Sequence, residues 1–360
     1  MKKIAVVAAM ALLSAACGGG ESGGFDPNAG FSQGADGELR SLAYAYQPDS
    51  SLTYGYNIDM DVSMDADIDA PDGFGEMTMG MSMAGSIAYG VSAGAEEGTV
   101  ELTIDSSLSD FSVSELTVDG ESMPAELLGL NDPDLAGVGE LIPPMTVVVD
   151  SSGDILEMQV GDVAVPSDLL ATFGGGSFGD PTGMGMLGSL FGPELPDDQV
   201  RIGATWTTTD TQEVPFVGEM TVVTNHEIVG EESMAGRDTF VIESTAQMSP
   251  LSISFADMLE SLKDPATMAA LGMAGEDIDA AQLEADLFES MDFDFSMDIS
   301  YDKLETKTWF DYQAGVMVST DADMVMTMKM KIDTPEGGGD MTMKANMGMA
   351  MLLTADGASV

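Results

Sequence analysis

The side chains that most often perform catalysis are sparse in this sequence. His226 is the single histidine among 360 residues, and it lies in an alternating polar and apolar run from Val222 to Val229. Alternation of this kind is typical of a strand, so we interpret His226 as a structural residue of a sheet. The 62 acidic residues supply carboxylate pairs at many spacings, so no pair can be assigned to acid–base chemistry.

Two glycine-rich segments resemble catalytic or nucleotide-binding motifs. Residues 175–179, GGSFG, fit the nucleophile-elbow pattern, and residues 183–188, GMGMLG, fit a dinucleotide-binding pattern. Each motif needs a preceding strand and a following helix, and neither context is evident in this glycine-rich stretch. We therefore predict that the chain is not an enzyme and uses no cofactor.

One acidic stretch has the spacing of a calcium loop. Residues 65–76 place acids at positions 1, 3, 5 and 12 of an EF-hand-like loop, but Ala70 stands where the sharp turn needs glycine. No flanking helices are evident. We prefer an acidic strand face and keep Ca²⁺ binding as a minor alternative.

Methionine is the most unusual residue type, with 31 copies that often occupy every second position. Alternate residues of a strand share a face, so these thioethers predict either an apolar core or a surface that adapts to a hydrophobic ligand. Cu(I), a soft ion, is a minor alternative. The candidate ligand-binding residues are Met60, Met64, Met77, Met79, Met81, Met83, Met324, Met326, Met328, Met330, Met341 and Met343.

The elements that must position these methionines are long hairpins. From Leu52 to Ile68 even positions are apolar and odd ones polar, which predicts a long strand, and Pro71-Asp72-Gly73 predicts a turn before a returning strand. Residues 333–343 repeat the pattern of residues 69–79. The repeat indicates two related halves or two hairpins in one sheet, with chance convergence as the alternative.

Further strands are predicted between the hairpins, among them Val100–Ile104, Met145–Val149 and Ile155–Val160. Helices are predicted only at 167–173, 184–191 and 255–289. The fold class is therefore α+β and β-dominated: long antiparallel strands in a curved sheet or half-barrel, with helices in two inserted segments. The predicted organisation is a signal peptide (1–16), a glycine-rich tether (17–38), a β-rich half (39–164), a helical connector (165–200) and a second β-rich half (201–360) with a helical insert (255–290).

The first residues predict export. Lys2 and Lys3 precede an apolar run that ends in small residues and Cys17, as in a secretory signal peptide. The segment LLSAAC resembles the lipobox of bacterial lipoproteins, which implies diacylation of Cys17 and a membrane anchor. Cys17 is the only cysteine, and a flexible glycine-rich tether follows it. An ordinary signal peptide with a chance cysteine is the alternative.

A second resemblance extends over most of the mature chain. The stretch VVVDSSGDI at 147–155 and the later LP at 195–196 with VRIGATW at 200–206 resemble an uncharacterised family of bacterial secreted β-rich lipoproteins. Ala204 replaces the acid usual in that family. The layout is more loosely similar to the LolA/LppX/LprG type of half-barrel, which holds acyl chains; this resemblance implies no particular ligand residues.

The charge of the chain limits its partners. A net charge of −51, with no Lys or Arg between Arg40 and Arg201, repels nucleic acid and anionic lipid headgroups. We expect a non-enzymatic, membrane-anchored envelope lipoprotein that holds a lipid or other hydrophobic ligand on a methionine-lined sheet face. The alternative is a structural or protein-interaction lipoprotein with a closed methionine-rich core. The sequence identifies neither the membrane leaflet nor a protein partner.

Overall fold

A computed structural model describes residues 31–68, 75–96, 98–122, 145–149, 155–160, 163–164, 193–214, 218–254, 294–334 and 337–358. Within these ranges the regular structure consists of strands, and no helix occurs. The strands are β1 (Asp36–Arg40), β2 (Ser50–Ile68), β3 (Glu76–Ala93), β4 (Val100–Val118), β5 (Glu121–Ser122), β6 (Met145–Val149), β7 (Ile155–Val160), β8 (Val163–Ala164), β9 (Val200–Ile202), β10 (Thr205–Val214), β11 (Gly218–Met234), β12 (Arg237–Met248), β13 (Leu251–Ser254), β14 (Asp294–Asp311), β15 (Val316–Thr334) and β16 (Gly337–Ala358).

Fourteen of these strands form one open antiparallel sheet. Its order is β10-β11-β12-β14-β15-β16-β2-β3-β4-β6-β7-β8, with β13 paired to β14 and β5 paired to β4. β1 and β9 form a separate two-stranded sheet. The large sheet joins its N-terminal and C-terminal strands at one seam, the antiparallel pair of β16 and β2.

The two repeated hairpins meet at this seam. β15 pairs with β16, β16 with β2 and β2 with β3, so the copies lie side by side at the centre of one sheet. Of the two arrangements that the repeat allowed, the structure has two hairpins in one sheet. The alternating pattern explains the placement, because one apolar and one polar face on each strand can continue across all four strands.

A chain segment before β2 covers the apolar face at one end of the sheet. Leu42 and Tyr44 are buried against Phe310, and the Tyr44 and Phe310 rings meet edge to face at 5.4 Å. The backbone N–H of Ala45 donates to the carbonyl of Gly315, 2.9 Å away, in the turn between β14 and β15. This end of the face is therefore a closed aromatic core.

The predicted α+β class is wrong for the described residues, which form an open all-β architecture. The predicted helices at 167–173, 184–191 and 255–289 lie outside those residues.

One strand is longer than predicted. The sequence predicts a short strand at Val100–Ile104, but β4 continues to Val118. The reason is that β4 pairs with β3 along this whole length, so its neighbour's hydrogen bonds define the strand through the polar stretch 105–110.

Candidate functional site: a methionine-lined sheet face

Two rows of methionine cross the four central strands. Directly paired residues of antiparallel strands point to the same face, so each row is set by the register of β15, β16, β2 and β3. The first methionine row is Met328, Met343, Met64 and Met77, in that strand order. The second methionine row is Met324, Met347, Met60 and Met81.

The row between the two methionine rows has two small side chains at its centre. Its members are Met326, Ala345, Val62 and Met79, in the same strand order. Ala345 is 5% exposed and Val62 is 8% exposed. They pack with Met60, Met81 and Met343 in one cluster. The flexible methionine side chains therefore lie over two small residues at the centre of the sheet.

The remaining predicted methionines lie on the same face. Met330 pairs with Met341 beyond the first row, while Met83 pairs with Ile58 beyond the second row. The register thus places all twelve candidate methionines on one side of β15, β16, β2 and β3. This clustering follows from the alternation that the sequence showed, combined with strand pairing that it did not show.

Burial divides the twelve methionines into two groups. Met326 and Met328, on β15, are 4% and 7% exposed because Ile253 of β13 and Ile299 of β14 pack with them. The other ten are partly exposed. In the described residues the methionine face is therefore covered on its β14 side and more accessible towards β3.

The opposite face of the same strands is polar. Asp59, Asp61, Asp65 and Asp67 are exposed along β2, between the apolar positions. A cavity of about 140 Å³ lies between β16, β2 and β3, lined by Asp61, Val62, Ser63, Thr78, Met79, Gly80 and Asn346. Sites for drug-sized ligands usually measure about 300–1,000 Å³, so this cavity suits at most a small polar molecule.

His226 lies on the apolar face, several strands from the methionine rows. Its Nδ1 is 2.8 Å from Ser244 Oγ, and its Nε2 is 3.2 Å from Thr208 Oγ1. Its ring stacks on Trp206 with 4.9 Å between the ring centres. Burial lowers the pKa of His226 to about 4, so the ring is neutral at physiological pH. Both ring nitrogens already have protein partners, which fits the structural role expected from the sequence.

Two residues of the site, Met347 and Ala345, are not among those predicted from the sequence. The alternation placed Met347 on the methionine face, but its place in the second row depends on the distant pairing with Met60. No sequence signal marks Ala345 as the centre of the face. Cys17, the predicted lipidation site, lies outside the described residues.

The described residues give no support to the Ca²⁺ alternative. The described residues contain no group of three or more His, Cys, Asp or Glu side chains arranged to hold a metal ion. The acidic stretch 65–76 is bordered by strands β2 and β3, whereas an EF-hand loop connects helices. Residues 69–74 of that stretch lie outside the described part.

Comparisons with known proteins give only distant likenesses. No family model matches the sequence, and no curated protein matches it. A lipovitellin structure reported for its lipid–protein interactions is 9% identical, with a TM-score of 0.38; it covers 88% of this chain and 26% of the lipovitellin chain. The chain therefore spans about a quarter of that protein. An outer membrane channel from Pseudomonas putida F1 is 8% identical, with a TM-score of 0.17, and covers 91% of this chain and 100% of the channel.

At these TM-scores the likenesses support no conclusion about the fold or the function of this chain. The resemblance to a secreted lipoprotein family remains a prediction, because no family model matches. Among the described residues, no helix has the length and apolar character needed to cross a membrane.

Proposed function

We propose that this protein is a cell-envelope lipoprotein, anchored through Cys17, that binds a hydrophobic or lipid ligand on its methionine face. The observation that carries the proposal is the pair of four-methionine rows, which lie on one face and in which every methionine except Met328 is partly exposed. Large apolar surfaces on soluble domains commonly mark ligand or partner sites. Methionine suits such surfaces because its unbranched, polarizable side chain repacks around different shapes.

The distribution of charge supports the same proposal. Acids on the reverse face of β2 keep that side in water, while the methionine face carries no charged residue in its rows. A net charge of −51 also repels anionic headgroups, which favours binding of a lipid's apolar chain over docking of the whole domain on a membrane. The glycine-rich tether after Cys17 would give the domain reach from the membrane.

The alternative is a structural or protein-interaction lipoprotein whose methionines only fill a core. The burial of Met326 and Met328 by β13 and β14 favours this alternative for that side of the face. The two proposals differ in what happens on the side nearer β3, where methionines such as Met81 are partly exposed.

A binding assay with matched variants tests the proposal. The wild-type chain should bind a fluorescent fatty-acid analogue, and Met343→Gln with Met81→Gln should bind it about tenfold more weakly, because each amide must lose water against the ligand. Thr342→Gln with Ser82→Gln adds the same groups to the opposite face and should leave binding unchanged. No binding by the wild type, or equal loss in both double variants, would contradict the proposal.

A further inference from the structure

The methionine rows place eight thioether side chains on one face of the four central strands. Direct cross-strand neighbours have Cβ atoms about 4.5–5.5 Å apart, and every step along each row joins two directly paired methionines. A methionine side chain has three rotatable bonds. Neighbouring thioethers within a row can therefore turn towards a common point without any movement of the backbone.

Apolar packing alone does not explain why these positions are methionine. The closed cluster around Phe310, on the same sheet face, is built from Leu, Val, Ile, Ala, Tyr, Trp and Phe and contains no methionine. Eight of the chain's 31 methionines stand instead in the two rows at the centre of the sheet. Methionines also occur in the closed cores, but Met349 and Met351 there pair across the strands with other residue types, whereas each step of the two rows pairs methionine with methionine.

The surroundings select among metal ions. Thioethers are soft ligands that prefer ions such as Cu(I), whereas Ca²⁺ and Mg²⁺ need oxygen. The carboxylates of β2, such as Asp61 and Asp65, point to the opposite face, so the rows offer no charged oxygen ligand from that strand. The strongly negative chain still attracts cations to its vicinity.

We propose that the two methionine rows bind a soft monovalent metal ion, of which Cu(I) is the biological example, through thioether sulfurs gathered over Ala345 and Val62. Ala345 is the centre of this site because seven of its neighbours on the same face are methionines: Met324, Met326, Met328, Met343, Met347, Met60 and Met64. Ala345 is 5% exposed, so neighbouring side chains already lie close above its small methyl group. The ion binds without a change of oxidation state.

This proposal does not depend on lipid binding. An acyl chain needs apolar surface, which leucine supplies as well as methionine, whereas a soft ion needs sulfur. Exchange of methionine for leucine conserves hydrophobicity and approximate volume and usually costs less than about 1.5 kcal/mol. Leucine variants therefore remove the sulfur ligands while they keep the face apolar.

The test is a titration with silver(I), a soft monovalent ion that keeps its oxidation state, in chloride-free buffer. The full chain carries Cys17→Ser, so that no thiol competes. This protein should bind silver(I) in at least equimolar amounts and should compete with a chelator for Cu(I). Met343→Leu with Met347→Leu should weaken silver(I) binding by at least about tenfold, because two sulfur ligands are lost.

Two controls make the outcome decisive. Met158→Leu with Met220→Leu removes two buried sulfurs of β7 and β11, away from the rows, and should bind silver(I) like the parent protein. Both leucine pairs should also keep the far-ultraviolet circular dichroism and the unfolding midpoint of the parent protein, so that a loss of silver(I) binding is not a loss of the fold. Absence of silver(I) binding by the parent, or equal binding by both leucine pairs, would overturn the proposal.

Discussion

Replacing His226 should change how the stability of the protein depends on pH. The folded protein holds this ring in a buried site that lowers its pKa to about 4, while the unfolded chain titrates near the ordinary value of 6.5. Between these values the unfolded state binds a proton that the folded state excludes. The contribution of the neutral ring is therefore complete above pH 6.5 and is lost as the pH falls towards 4.

The size of this effect follows from the two pKa values. Each unit of difference corresponds to about 1.4 kcal/mol, so the wild type should lose about 3 kcal/mol between pH 7 and pH 4 through His226 alone. His226→Gln cannot titrate, yet it retains the carboxylate titrations of the rest of the chain. As the pH falls across this range, the wild type should therefore lose about 3 kcal/mol more unfolding free energy than His226→Gln loses.

Urea unfolding at half-unit pH steps measures this difference. Trp206 stacks on His226 and provides a fluorescence signal at the same place. Far-ultraviolet circular dichroism gives an independent signal for the sheet. Parallel stability curves for the two proteins from pH 7 to pH 4 would refute the assignment of His226 as a buried neutral ring.

Three other predictions concern the sheet faces, a close approach and the anchor. Met351 is 1% exposed and Leu352 is 42% exposed, so Met351→Asp should cost at least about 3 kcal/mol and Leu352→Asp under about 1 kcal/mol in chemical unfolding; equal losses would contradict the assignment of faces. A Cβ on Gly85 would clash with the backbone carbonyl oxygen of Ser107, whereas one on Gly90 would lie 3.9 Å from its nearest neighbour. Gly85→Ala should therefore lower stability by about 1–3 kcal/mol, and a Gly90→Ala variant that loses as much would defeat this explanation. Cys17→Ser should release the protein from membranes on cell fractionation, and unchanged detergent partitioning would disprove the anchor.

Local features of the fold were predictable from sequence. β6 and β7 have the bounds expected from the pattern at Met145–Val149 and Ile155–Val160, because a short, turn-rich connection separates two compact apolar runs. The faces of the methionine strands were also predictable, since alternate residues of a strand share a side. These conclusions need only neighbouring residues.

Long-range pairing was not predictable. The seam pairs Met343 with Met64 and Met347 with Met60, residues more than 270 positions apart, and nothing in either strand specifies its partner. The register determines that Ala345, not one of the methionines, lies at the centre of the face. Likewise, the alternation placed His226 in a strand, while its hydrogen bonds come from neighbouring strands. The candidate site is therefore a product of the sheet as a whole.

Ligand binding is tested most directly by measuring which lipid the protein contains when its own host makes it. The chain should be purified without added lipid, extracted with organic solvent and analysed by mass spectrometry, beside the Met343→Gln, Met81→Gln double variant prepared in the same way. We expect a lipid or other hydrophobic molecule at near-equimolar amounts in the wild type and clearly less in the variant. A wild type that contains only the acyl groups attached at Cys17 would contradict ligand binding and favour the structural role.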